Sequence, residues 1–194
     1  MDIKNIKIDL ETIKPKPPRQ PKPSSEHLQN KPKEIKKRII TQTDKWDDVS
    51  KLSLQEQYKY LKNLQENDFD NLEQKEHNIV NVIKQQIQQK IYGYRGQDIE
   101  KNLFDIQKFI NVQGVLEIMK NSENNCCYYC KEPIHILYEN VREPKQWTLD
   151  RIDNKLGHNK NNLLLACLTC NLRRRTMHTE RYVFTKQLNI IKNH

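Results

Sequence analysis

Two C-x-x-C units, Cys127-Tyr-Tyr-Cys130 and Cys167-Leu-Thr-Cys170, stand 36 residues apart in the chain. Each supplies two thiolates from one tight turn, and together they make the four soft ligands of a closed tetrahedral zinc site. Such a clamp ties together segments distant in sequence and stabilises a unit too small to hold itself by burial alone. The chain has five cysteines in all. Cys126 offers a competing C-x-x-x-C spacing with Cys130, but Cys127 is preferred because its two-residue gap matches the second pair. Two matched pairs point to reduced, metal-bound thiolates rather than a disulfide framework, and so to an intracellular protein or one carried within a virion.

The rest of the composition limits the core and suggests a partner. Only 35% of the 194 residues are apolar and 30% are charged, so part of the chain is expected to be extended or disordered. Lys and Arg outnumber Asp and Glu by 34 to 25, a net charge of +9. That excess favours a polyanion, with DNA first and RNA as the alternative. No apolar run approaches the ~20 residues needed to cross a bilayer, and the N-terminus lacks a signal-peptide core, so no membrane is expected.

Three segments follow, giving an α+β chain. Residues 1–48 read as a disordered Pro/Lys-rich tail. Six of the eight prolines lie between Pro15 and Pro32, and Lys36-Lys-Arg38 follows. This tail suits a nucleic-acid tether, a nuclear-import signal or a plain solvated linker. Residues 49–122 read as helical. Ser53-x-x-Glu56 is a capping box ahead of Leu54, Tyr58, Leu61 and Leu64. Leu72, Ile79, Ile83, Ile87 and Ile91 mark a second helix that Gly93 and Gly96 are expected to break. Asp98 is expected to cap a third, carrying Ile99, Leu103, Ile106 and Ile110, and Val115–Met119 forms a fourth. Residues 123–194 hold the cysteines. Here His135–Tyr138, Trp147–Leu149 and Leu163–Ala166 read as strands, and a helix opens after Cys170.

Between and just after the cysteines the residues resemble the HNH, or ββα-metal, family of nucleases. The resemblance covers Cys127–Arg175, about a quarter of the chain, and looks like the branch in which zinc knuckles bracket the active hairpin. The run Trp147-Thr-Leu-Asp-Arg-Ile-Asp-Asn154 with its Gly157-His158 turn is similar to HNH proteins of large DNA viruses. The resemblance implies a catalytic Mg2+ or Mn2+ held by Asp150 at the strand end and by Asn171 directly after Cys170. It implies a supporting role for Asn162 in the loop. A hard cation suits these oxygen ligands and would stabilise charge developing on a scissile phosphate. At the family's histidine position this chain has Arg151. Arginine is no base near neutrality, its pKa lying above ~12, but it suits a bidentate phosphate contact. The base then falls to His158, to Asp153 or to metal-bound hydroxide, unless hydrolysis is lost and only binding remains. Arg173, Arg174 and Arg175 on the following helix are placed to grip a phosphate backbone.

The resulting expectation is a divalent-metal-dependent DNA endonuclease with a structural zinc held by the four paired cysteines. Its rival is a catalytically inactive zinc module that binds or packages nucleic acid, kept open by Arg151. A third reading is a protein-binding zinc domain with a helical arm.

Overall fold

The computed structural model describes residues 4–7 and 35–191, with side chains over 35–186. The proline-rich part of the expected tail lies outside the described residues. From Lys36 onward, however, the chain is already folded, so the expected boundary at residue 48 falls too late. Past the last proline of that stretch the chain can pair and bury again. Arg38 N donates to Glu139 O (2.8 Å) and Val141 N to Lys36 O (2.9 Å). The Arg38 guanidinium lies 4.2 Å from the centre of the Tyr138 ring, and Trp46 and Val49 are buried.

Helix α1 (Leu54–Glu66) starts as its sequence predicts. Glu56 N donates to Ser53 Oγ (3.3 Å), and Ser53 N to the Glu56 carboxylate (2.7 Å). It ends where Asn67 takes a left-handed conformation, φ 53°. Tyr60, Leu61 and Leu64 turn inward against helix α2 (Gln74–Glu100).

Helix α2 does not stop at Gly93. Its buried stripe, Ile83, Ile87 and Ile91, continues through Tyr94 to Asp98 at the same i, i+3/i+4 spacing. Tertiary anchoring of Tyr94 and Asp98 outweighs the roughly 1 kcal/mol that each glycine costs a helix. Asp98 therefore sits in the last turn of α2 rather than capping a third helix. The chain then turns through residues 101–111 to helix α3 (Val112–Asn121), where Asn111 Oδ1 accepts from Gly114 N (2.9 Å). The expected Val115–Met119 segment lies within it.

Among the described strands, β1 (Lys4–Lys7) runs parallel to a terminal strand (Leu188–Ile191). The central pair is β2 (Trp147–Arg151) and β3 (Leu163–Cys167), antiparallel, with Asp150 opposite Leu164. Helix α4 (Leu168–Arg174) opens within the second cysteine pair, and α5 (Thr179–Gln187) follows. His135–Tyr138 is mostly buried but makes only a single bridge, His135 to Gln146, instead of the expected strand. Leu137 N donates to the Gln57 side chain on α1 (2.9 Å), and Tyr58 Oη to Ile134 O (2.7 Å).

Those bonds belong to a shared interior. Leu61, Ile83, Ile87, Val115 and Met119 from the helices lie in one buried cluster with Ile134, Ile136, Trp147, Leu149 and Leu165 from the cysteine segment. The expected division at residue 122 is thus not a break in packing: helices and hairpin form one core. Among the described residues, no helix is long and apolar enough to cross a membrane.

Candidate metal centre and hairpin–helix site

Cys127 and Cys130 sit on one tight turn, closed by Lys131 N donating to Cys127 O (2.9 Å), with Lys131 at φ 59°. Tyr128 N donates to Leu165 O (2.8 Å), pinning that turn to β3. Cys167 ends β3 and caps α4, accepting from Cys170 N at 3.4 Å. The four Sγ atoms lie within 4.8 Å of one another, and Cys130 and Cys167 are 3.9 Å apart. A tetrahedron with metal–sulfur bonds of ~2.3 Å has edges of about 3.8 Å, so the cluster fits an ion such as zinc. The neighbouring Cys167 thiol holds the Cys127 thiol below its usual range. Cys126 stands outside the cluster, its sulfur 3.6 Å from Asn124 O.

Strand alternation sends neighbouring side chains of β2 in opposite directions. Asp150 faces α4. Arg174 Nε donates to Asp150 Oδ2 (2.5 Å), Arg174 Nη2 to Oδ1 (2.8 Å), and Tyr129 Oη to Oδ2 (2.6 Å). Arg174 also donates to Met177 O and Arg151 O, so it ties the hairpin to the end of α4. Both members of the pair are buried. Burial opposes the Arg174 charge, but the hydrogen bond and charge of Asp150 outweigh it and raise its pKa. The Tyr129 hydroxyl is pushed well above the usual range, by burial first and then by its bond to Asp150.

Arg174 is therefore not a surface grip, unlike Arg173 and Arg175, which are exposed. Asn171 is half-buried. Its Nδ2 donates to Thr148 Oγ1 (3.1 Å) and more weakly to Leu149 O (3.5 Å), so it flanks Asp150 without bonding it. Both Asp150 oxygens are held by a guanidinium and a phenol. As arranged, this donor set does not fit a hard divalent ion, which must first displace Arg174.

On the other face of β2, Arg151 turns toward the C-terminal end of α2. Its Nη1 lies 3.9 Å from Asp98 Oδ1 and donates to Leu156 O (3.3 Å). His158 meets the same carboxylate twice. Its backbone N–H donates to Oδ2 (2.6 Å), and Nδ1 lies 2.8 Å from Oδ1. The imidazole stacks on Tyr94, ring centres 4.4 Å apart. Tyr94 Oη in turn accepts from Leu149 N (3.0 Å). Gly157 is needed beside it, because a Cβ there would come 2.5 Å from Leu103 O and 2.8 Å from Asp98 Oδ2. Asn162 staples the same loop. Its Nδ2 donates to Asp153 O and Gly157 O (both 3.0 Å), and its Oδ1 accepts from Asp153 N (2.9 Å).

The expected residues are thus sorted into two groups by the hairpin. Asp150 and Asn171 lie on the α4 side. Arg151 and His158 lie on the α2 side, bound to Asp98, with His158 buried and its ring stacked on Tyr94. The sequence reading placed Asp98 as a helix cap and missed both its pairing with His158 and Arg151 and the role of Tyr94, although their spacing from Ile91 continues the buried stripe. It also missed Tyr129 and Arg174 as partners of Asp150.

Burial lowers the His158 pKa, and the nearby Arg151 and Lys101 charges act the same way, against the raising effect of Asp98. The folded state therefore prefers neutral His158. Its contribution to stability is complete above the unfolded pKa of ~6.5 and is lost as pH falls through the lower folded value. Urea titrations should show stability falling below about pH 6.5 by at most about 1.4 kcal/mol per pH unit from this group. His158→Gln should flatten that slope; an unchanged slope would remove His158 as its source.

No protein-family model, curated protein or solved structure matches the chain. The charge within the chain is nonetheless uneven. Residues 123–194 hold 12 Lys and Arg against 7 Asp and Glu, a net +5, whereas residues 35–122 hold 14 against 13.

Proposed function

We propose that this protein is a zinc-clamped nucleic-acid-binding module on a helical support, with Arg174 in place of a catalytic divalent ion. The carrying observation is the Asp150 carboxylate, whose oxygens are held by Arg174 and Tyr129 in a buried pair. Zinc at Cys127, Cys130, Cys167 and Cys170 fixes the turn of β3 into α4 and so sets where the end of α4 points. From there Arg173 and Arg175 face solvent, with Arg181 on α5, and supply salt-dependent, sequence-blind contacts to phosphates. Reduced thiolates at the clamp suit an intracellular setting.

A second reading, the metal-dependent endonuclease, is favoured by one observation. Asn171 reaches the backbone immediately before Asp150, so the two expected metal ligands share one side of the hairpin. That reading requires Arg174 to leave Asp150 when substrate and ion arrive.

Binding is tested by measuring affinity for a labelled DNA duplex across a salt series. The double variant Arg173→Glu/Arg175→Glu should weaken binding roughly tenfold or more and reduce the steepness of the log–log salt slope by about two. Equal slopes for variant and wild type, or wild-type affinity indifferent to salt, would remove the phosphate-contact assignment.

A further inference from the structure

A second surface, on helix α2, has its own chemistry. Gln88, Tyr92 and Arg95 occupy one face of α2 at i, i+4 and i+7 and open onto a cleft of about 330 Å3. Phe104, Phe109 and Asn111 form the opposite wall. Tyr92 is 68% exposed, an unusual position for a ring beside other uncovered apolar groups, and Ile106 on the rim is 79% exposed. Phe104 and Phe109 pack edge to face, ring centres 5.2 Å apart, and the Arg95 guanidinium lies 5.2 Å from the centre of the Phe104 ring. Among the described residues no carboxylate lines this cleft, and its single charge is the cation of Arg95.

Aromatic faces, a stacked guanidinium and carboxamides in one concave site match the requirements of an unpaired nucleobase. The rings and guanidinium offer stacking planes, which every base can use. Asn111 spends its Oδ1 on capping α3, which leaves its NH2 group for a base edge, and Gln88 offers both donor and acceptor. Arg95 complements the phosphate attached to such a base. A base inside a duplex has both faces stacked and does not enter; a base in a single strand does. Resting on the nucleic-acid reading above, we infer that the Tyr92–Arg95–Phe104 cleft binds an unstacked base of a single-stranded segment. The cleft supplies stacking, while α4 and α5 supply the sequence-blind phosphate contacts.

Fluorescence anisotropy of the full-length protein tests this with three probes: a labelled oligothymidine, the abasic strand of equal length, and a duplex. Tyr92 is exposed, so Tyr92→Ala leaves the fold intact, which a thermal melt confirms. Tyr92→Ala should weaken oligothymidine binding about tenfold, the usual effect of losing one stacking platform, and leave the abasic strand and the duplex unchanged. Arg95→Ala should weaken oligothymidine binding in the same direction. Unchanged oligothymidine binding in Tyr92→Ala overturns the inference. So does an abasic strand that binds the wild type as tightly as oligothymidine. If Arg173→Glu/Arg175→Glu weakens every probe while Tyr92→Ala changes none, only this inference falls. If the wild type binds none of the probes, the nucleic-acid reading falls with it.

Discussion

Cys170→Ser is expected to release bound zinc and unfold the hairpin–helix unit, the largest single-residue effect in this chain. Cys170 is buried among the other three sulfurs at the start of α4. A serine hydroxyl there is a poor zinc ligand and leaves three thiolates crowded together without their cation. Structural zinc in small domains is worth about 10–16 kcal/mol in apparent binding energy, as much as the entire stability of an ordinary domain. The loss should not stay local, because Trp147 and Leu165 share their interior with Ile83, Val115 and Met119. Metal analysis should find one zinc per wild-type chain and none in the variant, and circular dichroism should show helix loss beyond α4. Cys126→Ser is the control: its sulfur lies outside the cluster, so zinc and melting temperature should be retained. A Cys170→Ser protein that melts like wild type, or a Cys126→Ser protein without zinc, would refute the assignment of ligands.

The second large effect is expected at Arg174. Arg174→Met leaves the Asp150 carboxylate buried beside one phenol and no positive charge. Breaking a buried pair from one side costs about 3–5 kcal/mol, which for a chain of this size lowers the melting temperature by roughly 10 °C. Removing both charges is a different matter, because the cost of desolvating the pair disappears with it. Asp150→Leu/Arg174→Met should therefore recover most of the loss, giving a clear coupling energy in a double-mutant cycle. If Arg174→Met costs less than about 1 kcal/mol, the pair does not hold the hairpin to α4 as described. Replacing the neighbouring Arg173 by Met should cost little, since that side chain is in solvent.

These two sites differ in how far they were legible in the sequence. The cysteine cluster was readable because ligand spacing is a local property, and the structure gathers the four sulfurs that the spacing selected. The capping box at Ser53 and the aliphatic stripe of α2 were readable for the same reason. The end of α2 was not. Gly93 and Gly96 look like breakers on propensity alone, and nothing local reveals that Tyr94 and Asp98 find partners 55 and 60 residues onward. The surroundings of Asp150 were hidden in a similar way. The resemblance gave its carboxylate to a divalent ion, and the Arg173–Arg175 run was assigned as a whole to a phosphate backbone. Which long side chain folds back onto that carboxylate depends on how α4 leaves β3 at Cys167, a tertiary relation that the local pattern does not carry. His158 read as a candidate base on an open turn, although the turn is pressed against Asp98 so closely that only glycine fits before it.

The most direct test of the account is incubation of the full-length protein with supercoiled plasmid and Mg2+ or Mn2+. With Asp150 occupied by Arg174, the plasmid should be retarded in a salt-sensitive manner and remain supercoiled with either metal. Nicking by the wild type that disappears in Asp150→Asn, with zinc content unchanged, would contradict it and establish the divalent-ion site in its place.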